Sequence, residues 1–410
     1  MKKPILALAC VLMLAATEAR AEAAHWLATW GASPVTPTPP GGPPARSTPS
    51  FNNQTVRQIV RISAGGRRVR IRLSNAYGTA PLTIGAARIA LGGGGPAVKA
   101  GSDHAITFNG KPSAVIPPGA PLLSDPVDLP TSALAQLAIS LYLPGDTGPC
   151  TCHALGMQTA YVSDTGDFTA ANFAPKGTVG ARPFLAAVEV ETTAPAKAIV
   201  TLGDSITDGV GSTLGANHRW PDLLAERLAA RSPRQAWGVV NQGISGNRIT
   251  DDGAGQNALA RFDRDVLATP GAAYVVVFEG VNDLGLSYGR GLPPGAAPPR
   301  GKVTADDLIA GYRQLIDRAH GQGLKMIGAT IAPYEGASYW SPEGEAVRQA
   351  VNSWIRTGKA FDGVLDFDAA VRDPAHPSQM KDGLHAGDHL HGSDAGYRAM
   401  VGVIDLNLFR

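Results

Sequence analysis

Four short stretches in the C-terminal half of this sequence carry the side chains that acyl-transfer chemistry needs. Gly203-Asp204-Ser205-Ile206 supplies a hydroxyl, and Asn241-Gln242-Gly243-Ile244-Ser245-Gly246-Asn247 a glycine-rich turn. Gly280-Val281-Asn282-Asp283 supplies an amide, and Asp388-His389-Leu390-His391 a carboxylate three residues before an imidazole. A serine hydroxyl is a weak nucleophile until a base takes its proton, and a histidine base needs a partner that fixes its tautomer and stabilises its charged form. Negative charge building on a carbonyl oxygen must also be received by rigid N–H donors. Ser205 as nucleophile, His391 as base and Asp388 as orienting acid meet the first need. The backbone N–H groups of Ser205 and Gly243 and the Asn282 amide meet the second, glycine at 243 permitting close backbone approach.

These stretches can cooperate only if the fold brings them together. Each of the first three follows a run that reads as a buried strand: Ala198 to Leu202, Gly238 to Asn241 and Tyr274 to Glu279. Two further strands are expected at Lys325 to Ile331 and Gly363 to Phe367. Helical patterns cover Trp220 to Ala230, Leu259 to Leu267, Ala305 to His320 and Glu345 to Thr357, with Asp394 to Leu406 closing the chain. Thr304 before Asp306 and Asp307, and Ser341-Pro342-Glu343, are helix-start chemistry. Such alternation implies a largely parallel sheet with helices on both faces, whose loops converge at the C-terminal ends of neighbouring strands.

Two other patterns compete. Gly285-Leu286-Ser287-Tyr288-Gly289 fits a nucleophile elbow but lies beyond its strand and runs toward Pro293-Pro294, so it reads as a surface loop. His385, Asp388, His389 and His391 resemble metal ligands, yet no motif elsewhere completes a set. No cofactor and no metal are expected. Trp220, Tyr334 and Trp340 suit an acyl or sugar pocket or, equally, core packing.

The 410 residues fit two domains. Lys2 and Lys3, the apolar run Ile5 to Ala16 and Ala19-Arg20-Ala21 form a signal-peptide pattern, giving segments 1–21 (signal peptide), 22–195 and 196–410 and a secreted or periplasmic location. A lipoprotein reading through Cys10 fits poorly, since few apolar residues precede that cysteine. The full sequence has 36 basic and 34 acidic residues; without the first 21 it keeps 33 of each. A neutral chain lacks the basic footprint of a nucleic-acid partner, and no membrane anchor is expected. Residues 22–195 alternate in period two (Val56, Val60, Ile62; Val69, Ile71, Leu73; Leu137, Ile139, Leu141, Leu143) between Gly/Pro-rich breaks, which indicates a β-sandwich or jelly-roll-like module. Its functional reading is glycan binding or a cleft wall; its structural one is a packing module with no site. Cys150 and Cys152 are expected to form a local disulfide or to stay as inert thiols.

In order and placement, the four stretches resemble the signature blocks of the SGNH (GDSL) hydrolase family, over about residues 198–400. The resemblance implies a three-layer, flavodoxin-like α/β domain and an ester hydrolase. In it Ser205, Asp388 and His391 are the triad, and Ser205, Gly243 and Asn282 form the oxyanion hole. Of two Asp-x-x-His pairs, Asp382/His385 and Asp388/His391, the second is followed by Gly396-Tyr397 and the final helix, as the family block requires. Ile206 stands where Leu is usual and Gly392 where Pro commonly follows the histidine. The two-domain layout is similar to secreted arylesterase-like acylhydrolases. The expected activity is therefore hydrolysis of short acyl or aryl esters, with polysaccharide O-acetylesterase as the alternative. A non-catalytic glycan-binding protein is a further alternative that would not need a triad.

Overall fold

In the computed structural model, which describes residues 24–37, 48–231, 235–288 and 301–410, five apolar runs form one parallel sheet. Its spatial order is Ala236–Gly243, Ala196–Gly203, Ala272–Phe278, Lys325–Ala329, Gly363–Leu365. In chain order this is 2-1-3-4-5, so the direction of winding reverses beside the first strand. Ligand crevices in open α/β sheets lie at such a reversal. Ala198 to Leu202 are fully buried in succession, as expected of a strand covered on both faces. Helix Trp220–Arg231 packs with Asp394–Gly402, and Ala305–Gly321 packs with Pro342–Thr357.

The helix starts follow the sequence. Thr304 Oγ1 accepts from the Asp307 N–H while the Asp307 carboxylate accepts from the Thr304 N–H, a reciprocal box. Ser341 caps the helix whose first residue is Pro342.

Several boundaries differ from expectation. Phe367 begins a short helix, Phe367–Val371, capped by Asp366, instead of ending a strand. Leu259 to Leu267 divides into an α-helix, Ala258–Phe262, and a π-helical turn, Asp263–Leu267. The last helix ends at Gly402 and is followed by a 3-10 turn, Leu406–Leu408. Residues Val281–Tyr288, read as a loop that includes Ser287, are helical. Val281 and Leu284 bury one turn apart, and Gly285 lets the helix lie against the Tyr339 ring, where a Cβ would collide.

Among the described residues the N-terminal half builds two two-stranded antiparallel sheets, Cys152–His153 with Arg182–Pro183 and Leu82–Ile84 with Ala114–Ile116, and two larger ones. One orders His25–Gly31, Leu185–Thr192, Arg68–Ser74 and Val127–Asp128, with Pro121–Leu123 also on Arg68–Ser74. The other orders Gly177–Val179, Ala160–Thr165, Gln54–Arg61, Gln136–Leu143, Ala86–Gly94 and Ala97–Val98, with His104–Ile106 on Ala86–Gly94. Val69, Ile71 and Leu73 share one buried cluster with Val56, Val60, Leu137 and Ile139, so residues of both sheets meet in a common core. On the opposite face Arg68 pairs with Glu191, and Arg70 and Arg72 with Glu189. Strand Gln54–Arg61 departs from simple alternation because the turn around Thr169–Ala171 covers its outer face and takes hydrogen bonds from buried Arg57. Cys150 and Cys152 are disulfide-bonded and buried.

The two halves meet along the edge strand Ala236–Gly243. Val239 N–H donates to Ser63 Oγ (2.7 Å), which donates to the Thr29 carbonyl (2.7 Å); the Ala28 N–H reaches the Pro270 carbonyl (3.0 Å). The expected signal peptide, with Cys10, and Pro293-Pro294 lie outside the described residues. Among the described residues no helix is long and apolar enough to cross a membrane.

Phe367 is fully buried, with its ring edge-on to Trp220 (5.5 Å) and Phe278 (5.1 Å), so it joins a helix layer to the sheet. Phe367→Ala should cost about 3–5 kcal/mol, read as a lowered urea midpoint; a shift near zero would show that this contact does not hold the layers together.

Candidate active site

Strand Ala196–Gly203 ends in a backbone turn that places Ser205 first in a four-residue helix, Ser205–Asp208. Asp204 is its cap, its Oδ1 accepting the Ile206 N–H (2.9 Å), and Gly209 closes the turn at φ 102°. Asp204 is thus a scaffold for the serine. Ser205 itself is buried, 5% exposed.

A continuous hydrogen-bond chain leaves its hydroxyl. Ser205 Oγ lies 2.8 Å from His391 Nε2, and His391 Nδ1 lies 2.5 Å from Asp388 Oδ2. Asp388 Oδ1 accepts the N–H groups of Leu390 and His391, each at 3.0 Å. Partial burial disfavours the charged carboxylate. The hydrogen bonds from the His391 ring and from the two backbone N–H groups outweigh it and hold Asp388 well below the usual carboxylate range. An ionised Asp388 keeps the proton of His391 on Nδ1 and leaves Nε2 free to accept from Ser205.

The other pair, Asp382 and His385, serves the loop. His385 Nδ1 accepts the N–H groups of Gly387 (3.0 Å) and His389 (3.3 Å), and its ring lies 4.2 Å from that of His389. A bridge between His385 and Gly392 closes the loop, and the Ala386 N–H donates to the His391 carbonyl (2.8 Å). Gly392 therefore sits in the arm that presents His391. Among the described residues no group of three or more His, Cys, Asp or Glu side chains is arranged to hold a metal ion.

Asn282 stands in the first turn of helix Val281–Tyr288, following the neighbouring strand Ala272–Phe278. Its Nδ2 donates one hydrogen to the Asn247 carbonyl (3.0 Å) and its Oδ1 accepts from Tyr339 Oη (3.2 Å). Both ends of the amide are thereby fixed, with one N–H to spare. Gly243 is different. Its N–H is committed to Asn241 Oδ1 (2.9 Å), so the structure does not offer it as an oxyanion donor. Its lack of a side chain has another use: a Cβ there would strike the Asp208 backbone nitrogen, directly behind the serine turn. Three residues on, Gly246 takes φ 82°, in the same loop as Ser245, whose N–H and hydroxyl both donate to Asp208 Oδ2 (3.1 and 2.7 Å).

Beneath the serine lies a buried acidic cluster. Burial is the main cause that pushes Asp204 up to about 7 and Asp283 up to about 6, and it raises Glu279 well above its ordinary value, neighbouring Asp204 adding to the last. Arg261, fully buried, crosses this layer: it donates to the carbonyls of Gly203 (3.0 Å) and Gln242 (2.6 Å) and to Asn247 Oδ1 (2.9 Å). Asp283 accepts the N–H groups of Ile249 and Thr250.

Residues 201–399 match the family model described as GDSL-like Lipase/Acylhydrolase family. The C-terminal half is a GDSL-like acylhydrolase domain, a carboxylic ester hydrolase. No curated protein matches the chain. Among solved structures it is similar to Axe2, an acetylxylan esterase from Geobacillus stearothermophilus (23% identity, 52% of this chain and 94% of that one, TM-score 0.39). It is similar also to LAE5, an alpha/beta hydrolase enzyme from the metagenome of Lake Arreo, Spain (23%, 52% and 95%, TM-score 0.39).

In this domain the structure brings Ser205, His391 and Asp388 into one chain of contacts. Trp220 and Tyr334 are fully buried and Trp340 packs against the same core, so the three aromatic candidates serve packing. Tyr339 carries no motif of its own, and Ser245 lies within the glycine-rich stretch without a role assigned to it there. Asp208 had one signal, its place three residues after the serine on a single turn.

A group whose folded-state pKa is raised favours the folded protein fully below its unfolded value, about 4 for these carboxyls, and loses that contribution as pH rises through the folded value. Asp204, Glu279 and Asp283 all shift this way, so the melting temperature should fall between about pH 5.5 and pH 8. Glu279→Gln, which cannot ionise, should narrow the difference; an undiminished difference would show that this cluster does not set it.

Proposed function

We propose that the protein hydrolyses carboxylic esters through a Ser205–His391–Asp388 triad. The hydrogen-bond chain of 2.8 and 2.5 Å from hydroxyl to imidazole to carboxylate carries this reading. Ser205 Oγ attacks the ester carbonyl carbon as His391 Nε2 takes its proton. The tetrahedral intermediate collapses as His391 returns that proton to the leaving alcohol oxygen, leaving an acyl-serine. Water then attacks the acyl carbon, His391 again acting as base, and the free acid departs with Ser205 restored. Asp388 stabilises the imidazolium in both halves of the cycle without taking its proton.

The oxyanion donors in this reading are the Ser205 N–H, the spare N–H of Asn282 and the N–H of Gly246, which replaces Gly243. A left-handed residue at 246 reverses the chain in the loop anchored at Ser245, a turn that suits glycine. The substrates are short acyl or aryl esters. Residues 22–195 form a β-sandwich, jelly-roll-like module, residues 196–410 the catalytic domain, and residues 1–21 a signal peptide that exports the enzyme.

Ser205→Ala should reduce hydrolysis of p-nitrophenyl acetate to the uncatalysed background, and wild-type activity should survive EDTA. Retained turnover in the variant would refute Ser205 as nucleophile. Asn282→Ala should lower kcat about 10²- to 10³-fold, whereas near-normal turnover would remove Asn282 from the oxyanion hole.

A further inference from the structure

His153 comes from the N-terminal half, yet its imidazole is buried against the turn that carries Ser205. Nδ1 lies 2.9 Å from the Ser33 carbonyl oxygen; Nε2 lies 2.9 Å from Asp208 Oδ1 and 3.0 Å from the Leu155 carbonyl oxygen. The two carbonyls are pure acceptors, and so is Asp208 as a carboxylate. A neutral imidazole has a single N–H and would leave one nitrogen's lone pair facing an acceptor. Against an ionised Asp208 both nitrogens must donate, which makes the ring an imidazolium.

The other oxygen of Asp208 holds the Ser245 N–H and hydroxyl, so one carboxylate ties three chain segments together. These are the strand bearing His153, the last residue of the Ser205 helix and the loop that continues into Gly246. The Cys150–Cys152 disulfide lies immediately before His153. Other charges face the ring: Arg182 stands opposite His153 on the paired strand, and Arg219, itself held by Asp222, lines the same small cavity. Both cations favour loss of the ring proton; Asp208 and the two carbonyls oppose them. Burial also opposes the charge, but these acceptors outweigh it and raise the pKa of His153 above its ordinary value.

We propose that His153 is a positioning residue for the Ser205 reaction: held as an imidazolium, it clamps Asp208 and with it both the serine turn and the Ser245–Gly246 loop. The N-terminal half is then part of the working active site, and loss of the His153 proton in alkali loosens it. The proposal rests on Ser205 as the nucleophile.

The test compares kcat and KM across pH for the wild type and His153→Gln, with Ser205→Ala as background, on p-nitrophenyl acetate corrected for spontaneous hydrolysis. A Ser-His-Asp triad by itself needs no second imidazolium and gives no reason for an alkaline loss of activity; loss of the His153 proton supplies one. Wild-type kcat should therefore fall in mild alkali. Glutamine keeps a donor toward Asp208 and cannot titrate. His153→Gln should show kcat reduced by about 10- to 10²-fold with KM little changed, as for a slightly misplaced nucleophile, and should lack the alkaline fall. A folded His153→Gln enzyme with wild-type kcat and a wild-type alkaline limb overturns the proposal. Independently of any variant, the 15N shifts of the His153 ring at pH 7.5 should show both nitrogens protonated, and a neutral ring overturns the proposal. Activity in Ser205→Ala would instead refute the nucleophile, so the two failures are distinguishable.

Discussion

A helix of four residues has no stability of its own, because nucleating a first turn fixes several dihedral angles for a single hydrogen bond. Ser205 stands on such a helix, and its position is imposed entirely from outside. Asp204 caps the turn and Gly209 ends it. Asp208 is held from two sides, by His153 and by Ser245, and Trp220 brings its indole N–H to Thr207 Oγ1 (3.3 Å). The rest of the structure is largely an arrangement for holding this one turn still while His391 approaches it. Catalysis by preorganised groups depends on such rigidity, since the ordering must be complete before the reaction begins.

The layer beneath the turn shows what that rigidity costs. A fully buried arginine and three buried carboxyl groups are expensive to desolvate, and well-packed apolar residues often match such clusters in stability. What Arg261 contributes is geometry. Its planar fork reaches the Gly203 carbonyl at the end of one strand, the Gln242 carbonyl on the next and the Asn247 side chain in the loop between site and helix. Asn247 in turn accepts from Asn282. One guanidinium thereby connects the segments that carry the serine, the left-handed Gly246 and the amide. Raised carboxyl pKa values are chiefly a by-product of burying the acids in this layer.

Much of the catalytic half was legible because its signals are local. Apolar runs ending in Gly, Asp and Asn marked three of the strand ends, Thr304 and Ser341 marked helix starts, and Asp-x-x-His marked the pair that meets Ser205. Gly396-Tyr397 and the final helix, downstream of His391, separated Asp388/His391 from Asp382/His385. The structure gives a physical contrast: one pair meets Ser205, the other braces the loop. The features that escaped were mostly those defined across the chain. One contact that escaped is local, the Asn241 side chain taking the N–H of Gly243 two residues on, and the left-handed turn at Gly246 belongs to the loop's path, not to its composition. Val281–Tyr288 looked like a loop because two glycines and the downstream prolines mask a helix that packs against Tyr339. His153 stands beside Cys150 and Cys152, but nothing there signals this role, since its partner lies 55 residues away in the other half of the chain.

The central claim is that Ser205, activated by His391, forms the covalent acyl intermediate. The most direct measurement is reaction of the folded enzyme with a fluorophosphonate ester, followed by proteolysis and mass analysis of the modified peptide. A single adduct on Ser205, formed in step with loss of esterase activity and absent when His391 is replaced by alanine, is the predicted result. An adduct on another residue, or inactivation that leaves Ser205 unmodified, would contradict it.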